Sequence, residues 1–148
     1  MESPLSVIDN EKDFAVFQSL LRSSGLPADD LSFERDLLVG YVEDGTMVGT
    51  GGLEIYEDYG LLRSLSVRLG TRGKALGTAI TEHLIAKGKE RNLKGIYLLT
   101  ETAHGFFLRK GFVDIERDKV PTALQASSEF SNVCGSTAFA MHLKLVAT

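Results

Sequence analysis

The chain has 148 residues, 43% of them apolar and 24% charged, with a formal charge of −4. That length fits one compact domain over residues 1–148, and the mild acidity gives no general reason to bind nucleic acid or an anionic membrane surface. No apolar stretch approaches the roughly 20 residues that span a bilayer, Met1-Glu2-Ser3-Pro4 lacks the basic and apolar regions of a signal peptide, and the lone Cys134 cannot form an internal disulfide, so a cytoplasmic location is expected.

Leu5-Ser6-Val7-Ile8 suits a short first strand. Asn10 is a fitting cap for a helix with Phe14, Phe17, Leu20 and Leu21 on its apolar positions, and Gly25 and Pro27 end it. Leu37 to Val42 is strand-like, and Asp44-Gly45 offers a tight hairpin into Met47-Val48 and on to Tyr56. Glu57-Asp58 marks another turn, followed by a strand from Tyr59 to Val67. Short turns between these strands imply an antiparallel meander.

The period then changes. Leu76, Ile80 and Leu84 recur every four residues, which puts them on one face of a helix reaching about Asn92, with Gly95 as punctuation. Ile96 to Leu99 reads as a buried central strand, Ala103 to Arg109 as a brief helix ended by Gly111, and Phe112 to Ile115 and Thr137 to Leu145 as closing strands. Between those two strands, Pro121 to Phe130 is expected to hold a short helix. The fold class is α+β: a mixed, mostly antiparallel sheet flanked by helices, with a strand–turn–helix at its centre.

That central turn carries the chemistry. Arg72-Gly73-Lys74-Ala75-Leu76-Gly77 joins the strand ending at Val67 to the long helix. A helix start exposes unpaired N–H groups and the positive end of the dipole, which suits phosphate. Gly73 and Gly77 permit close backbone approach, Arg72 and Lys74 add charge, and a pyrophosphate is the natural guest. Neither a P-loop nor the Rossmann glycine triplet is present. Taken alone, the stretch also reads as a solvated basic loop capping a helix.

The stretch Val67-Arg68-Leu69-Gly70-Thr71-Arg72-Gly73-Lys74-Ala75-Leu76-Gly77 and the later Ala103-His104-Gly105-Phe106-Phe107-Leu108-Arg109-Lys110-Gly111-Phe112 together resemble the two motifs of the GNAT superfamily of N-acetyltransferases. The resemblance covers nearly the whole chain in element order. It implies the GNAT fold, splayed between the fourth and fifth strands around Val67 and Leu98, and acetyl-CoA as cosubstrate without a metal. By it, the backbone of Leu65, Ser66 and Val67 would meet the pantetheine arm, and the N–H groups of Arg72, Gly73, Lys74, Ala75, Leu76, Gly77 and Thr78 the pyrophosphate. Phe106 and Phe107 would line the thiol end, and the N–H of Leu65 or Ser66 would hold the developing oxyanion. Three positions depart from the family: Ala75 replaces glycine, Leu69 a common proline, and Phe107 a tyrosine that protonates the leaving thiolate in many members.

Many relatives also place a glutamate base where this chain has Arg63, which cannot accept a proton at neutral pH. Arg63 is therefore a candidate for binding a substrate anion, since a guanidinium matches carboxylate, phosphonate or arsonate in two-pronged fashion; the other reading is a surface arginine on a strand. Ser64 beside it and His104 are candidate substrate contacts. Glu54 and Glu101 are the candidate proton acceptors, alongside an ordered water. His83 is expected to pack near the helix's apolar face and His142 to lie on the sheet surface. No Cys/His spacing suggests a metal, and Cys134 reads as a small filler residue.

A narrower similarity lies in Gly52 to Tyr56, Leu62 to Val67, Tyr97 to Ala103, Val120-Pro121, Ser128 to Phe130 and Cys134, which look like the acetyltransferases of bacterial arsenic-resistance operons. That group is similar to amino-acid N-acetyltransferases, and it implies a small anionic amino acid, or an arsenic-containing analogue, as amine acceptor. The competing expectations are acetylation of protein N-termini or lysines, and a non-catalytic acyl-CoA sensor. For any assembly, the commonest symmetric form is a homodimer.

Overall fold

A computed structural model describes residues 4–68, 73–127 and 138–145, with residues 73 and 74 placed as backbone only. Expectations for Leu69, Arg72, Ser128 to Phe130, Cys134 and Thr137 fall outside the described residues. In chain order the elements are β1 (Leu5–Val7), α1 (Glu11–Ser23), β2 (Leu37–Glu43), β3 (Thr46–Tyr56), β4 (Tyr59–Val67), α2 (Gly73–Glu90), β5 (Gly95–Thr100), α3 (His104–Arg109), β6 (Val113–Asp114), α4 (Thr122–Gln125) and β7 (Phe139–Lys144), with a 3-10 turn at Arg117–Lys119. The strands form one seven-stranded mixed sheet in the order β1-β2-β3-β4-β5-β7-β6.

Local chemistry explains most of the boundaries. Asn10 caps α1 by accepting from the Asp13 N–H at 2.8 Å. Gly25 (φ 75°) closes α1, with the Leu26 N–H bonded to Leu21 O and the Gly25 N–H to Arg22 O. Both are bonds of a left-handed C-terminal cap. Helix α3 ends the same way at Gly111 (φ 97°). Helix α2 ends near Asn92, as expected, and Asn92 itself (φ 60°) forms the cap, with the Leu93 N–H bonded to Gly88 O. Asparagine tolerates the left-handed region, which frees Gly95 to open β5. The Asp44-Gly45 hairpin has positive φ at both residues, 50° and 78°, as a two-residue turn matched to strand twist requires.

The described residues fall into two compact units. One joins the chain up to Glu54 with Leu62–Lys87, and the other joins Ile55–Leu61 with the chain from Gly88 onward. In the first, β1, β2 and β3 pair antiparallel, and Phe17 and Leu21 of α1 pack with Ile8, Ala28, Leu31, Leu38 and Met47. Helix α2 lies directly on β3 because Gly49 and Gly51 present no side chain there. A Cβ on Gly51 would run into Ile80 Cγ2 and stand 3.0 Å from Leu84 Cδ1. Those are the residues whose fourfold spacing marked the helix.

In the second unit, β5 pairs parallel with β4 over Tyr59–Leu61 against Gly95–Tyr97, and antiparallel with β7 over its full length. The described β4–β5 register covers three residue pairs, although β4 has nine residues and β5 six. Leu61, Val120 and Leu124 form the core here, flanked by Tyr56, Tyr59, Tyr97 and Ile115. Pro121 stands just before α4, at its N-cap.

Candidate functional site

Strand β4 is regular except at one residue. Ser64 has φ 64°, a left-handed conformation rare for a side chain other than glycine or asparagine and seldom found inside a strand. The buried hydroxyl of Thr50 on β3 donates to the Ser64 carbonyl at 2.7 Å, and Gly52 leaves room beside Arg63 O and Ser64 Cβ. The left-handed residue re-aims the backbone of Leu65, Ser66 and Val67, which follow it directly toward α2. Beyond them, the Arg68 N–H returns to Val48 O at 2.7 Å. A cavity of about 480 Å³ lies against this end of β4, lined by Leu20, Ser23, Ser24, Val48, Ser66, Val67 and Arg68. In its wall the Ser24 and Ser66 hydroxyls are 2.6 Å apart.

Helix α2 begins at Gly73, so Lys74, Ala75, Leu76, Gly77 and Thr78 occupy its first turns. Its first turn holds no acidic residue, which leaves the dipole's positive end without a competing carboxylate of its own. Ala75 has ordinary helical backbone, so its replacement of glycine introduces no strain. Leu76 is buried and Ala75 exposed, as expected for a helix seated on β3 by one face.

Arg63 and Glu54 are brought together. Arg63 is not a surface arginine: its side chain is 2% exposed, and its Nη1 donates to Glu54 Oε1 at 3.2 Å. Asp30, between α1 and β2, receives the same guanidinium in two-pronged fashion, Nη1 to Oδ2 at 2.6 Å and Nη2 to Oδ1 at 3.1 Å. On the far side of Glu54, Arg35 donates to Oε2 at 3.2 Å and clasps buried Asp36 through Nε at 2.8 Å and Nη2 at 2.7 Å. Burial raises the Glu54 pKa above its ordinary value, and the Arg63 charge and hydrogen bond work against that rise. This cluster gathers three carboxylates and two guanidiniums.

The remaining predicted residues, His83 on α2 apart, lie in the other unit. Glu101 is exposed in the bend after β5. The Thr100 hydroxyl accepts from the Ala103 N–H at 2.9 Å and so sets the start of α3. His104 opens that helix, 2.7 Å from Asp114 Oδ1 on β6 and stacked on Phe139 at 4.0 Å between ring centres. Phe106 and Phe107 meet edge to face at 5.0 Å, and Phe107 continues to Phe112 at 5.5 Å. Phe107 is buried, so its ring serves packing. His83 is half-buried on α2. His142 is half-buried too, set against Tyr97 at 5.4 Å, and burial followed by nearby Lys144 lowers its pKa.

Sequence reasoning missed Asp30, Arg35, Asp36 and Thr50. A charged residue in a loop ordinarily reads as solvated, and nothing in the pattern pairs residues 19 and 33 positions apart. Thr50 had a faint signal, as a lone hydroxyl in the glycine-rich run Val48 to Gly52.

Comparison with known proteins agrees with this architecture. Residues 7–112, more than half of the chain, match the model of the Acetyltransferase (GNAT) family. An amino-acid acetyltransferase of Mycobacterium tuberculosis is 30% identical over 93 residues, covering 62% of this chain and 50% of that protein, so the chain spans half the length of that relative. A GNAT-family acetyltransferase structure from Staphylococcus aureus Mu50 superposes with a TM-score of 0.74 at 19% identity, over 96% of this chain and 99% of that one. N-acetylglutamate synthase from Neisseria gonorrhoeae, crystallised with coenzyme A and N-acetyl-glutamate, gives a TM-score of 0.78 at 16% identity, over 99% of this chain and 36% of that one. The left-handed kink in β4, the helix that follows it and the family match lead to one conclusion: the chain belongs to the GNAT family of acetyltransferases.

Proposed function

We propose that this protein is an N-acetyltransferase that moves an acetyl group from acetyl-CoA to the amine of a small anionic amino acid. The observation that carries the reading is the left-handed Ser64 in β4, one residue before Leu65 and directly upstream of α2. A regular strand spends its N–H groups on its neighbours, whereas a kinked one turns an N–H toward a ligand. The Leu65 N–H would then stabilise the negative charge that develops on the thioester oxygen. The backbone from Leu65 to Val67 would guide the pantetheine arm, and the N–H groups from Arg72 to Thr78 would take the pyrophosphate. The acid-free first turn of α2 supports that second role. Phe106 and Phe107 would shield the thiol end.

The chemistry needs a neutral amine. Its nitrogen attacks the thioester carbon, the carbon–sulfur bond breaks, and the amine's surplus proton must leave. Glu54 is the acceptor the site supports best, because burial raises its proton affinity while Arg63 and Arg35 hold its two oxygens. Glu101, exposed to solvent, is the alternative. The coenzyme A thiolate departs with little acid help because a thiol has a pKa near ~8.5, so Phe107 needs no hydroxyl.

The anionic acceptor rests on Arg63, with Ser64 and His104 as further contacts, and on similarity to a protein named as an amino-acid acetyltransferase. An arsenic-containing amino acid is included because an arsonate presents a guanidinium with the same forked oxygens as a carboxylate. The test is release of free thiol from acetyl-CoA across L-glutamate, L-aspartate, L-lysine, neutral amino acids and short peptides. Turnover of the acidic amino acids is expected. Turnover confined to lysine or peptide N-termini would overturn the proposal, and coenzyme A binding without turnover would mark a sensor.

A further inference from the structure

Arg63 already holds a carboxylate in two-pronged fashion, and that carboxylate comes from its own chain. The three acidic partners in the cluster differ sharply in accessibility. The side chains of Asp36 and Glu54 are 0% and 3% exposed, whereas Asp30 is 36% exposed and sits on a turn between α1 and β2. Arg63 is 2% exposed, and Asp30 is the more exposed end of that pair. Among the ion pairs of the described residues three carboxylates face two guanidiniums, so an arriving anion is best accommodated when one of the cluster's own gives way. Of the three, Asp30 is the one already in contact with water.

We infer that Asp30 occupies the place of an acceptor carboxylate on Arg63, and that an anionic acceptor binds by exchanging with it. The inference rests on the acetyltransferase reading for its biological meaning but not for its test. One carboxylate enters as another leaves, so the charge of the cluster is unchanged and no proton moves. Tethering gives Asp30 an effective concentration of the order of millimolar. A free carboxylate therefore competes only when abundant or when anchored elsewhere on the protein as well. An acceptor that cannot bring a carboxylate to Arg63 would have to strip Asp30 from a buried guanidinium and offer nothing in return, so Asp30 sets specificity by penalising such acceptors.

The experiment uses the full chain carrying Asp30→Ala, followed by thermal melting in sodium acetate or succinate against sodium chloride at equal ionic strength. The variant is expected to melt below the wild type, and the carboxylates, but not chloride, are expected to restore part of the loss in a saturable way. The wild type should respond far less. In turnover, the KM for L-glutamate should fall about tenfold, the relief expected if Asp30 closes the site nine-tenths of the time, while the KM for acetyl-CoA stays unchanged. Asp30→Asn, which keeps shape and removes charge, provides the second variant. A folded variant that answers acetate and chloride alike would overturn the exchange. So would loss of folding in both variants that acetate does not repair, because Asp30 would then be a staple. Carboxylate-specific rescue without any acetyl transfer would leave this site standing and sink only the transferase reading.

Discussion

The two regions that carry the predicted residues are built on opposite principles. Around Arg63 and Glu54, five charged side chains of the first unit hold one another, three of them buried (Arg63, Glu54 and Asp36) and two reaching water (Asp30 and Arg35). Around α3, in the other unit, Phe106, Phe107 and Phe112 pack ring against ring, with His104 against Asp114 and Lys110 over Phe106 at 5.7 Å. A buried charge is tolerable only while every partner is in place, so the first region is brittle. Aromatic packing is broad and forgives small changes of shape, so the second should be tolerant.

The sharpest way to break this contrast is Arg63→Met. It leaves the buried Glu54 with Arg35 alone on one side, and should cost about 3–5 kcal/mol in denaturant unfolding. A comparable loss on converting Phe106 to Leu would erase the distinction. Glu54→Gln should lower kcat/KM by about 10²–10⁴-fold if Glu54 takes the amine's proton. Its pH dependence has a definite sign. The raised pKa means the base becomes active only above the ordinary glutamate value, so the acid limb of the rate profile lies above 4.5 and vanishes in Glu54→Gln. For stability the same shift acts in reverse: the contribution is present below the unfolded pKa and is lost as pH rises through the folded value. Glu54→Gln should therefore flatten stability against pH across that window.

Smaller effects sharpen the picture elsewhere. Gly51→Ala drives a methyl group into Ile80 and should cost about 1–3 kcal/mol in thermal or denaturant unfolding by lifting α2 from β3. If the start of α2 holds the cofactor, that change should also weaken coenzyme A binding measured by calorimetry. Phe107→Tyr adds a phenolic hydroxyl, yet kcat should change by no more than about threefold because the thiolate leaves unaided.

Much of this was legible in the sequence, and the reasons are local. The caps at Asn10, Gly25 and Gly111 and the turn at Asp44-Gly45 are short-range chemistry, readable within a few residues. So was the face of α2, because Leu76, Ile80 and Leu84 repeat at helical spacing. The end of α2 near Asn92 was legible too, although the residue with the positive φ there is Asn92 itself and not the glycine that follows. The ionic cluster was half legible. Glu54 and Arg63 were singled out by their strands, but their contact, and the partners Asp30, Arg35 and Asp36, depend on tertiary pairing that leaves no periodic trace. The kink at Ser64 is equally silent, because nothing about serine announces a positive φ.

The central claim is that Arg63 selects an acceptor by its side-chain carboxylate. The most direct test is the ratio of kcat/KM for L-glutamate over L-glutamine, two acceptors of nearly the same shape that differ in the side-chain anion. The account predicts a preference for glutamate of about 10²-fold or more, because a buried guanidinium deprived of Asp30 and offered an amide is left under-satisfied. Equal use of the two, or a preference for glutamine, would contradict it.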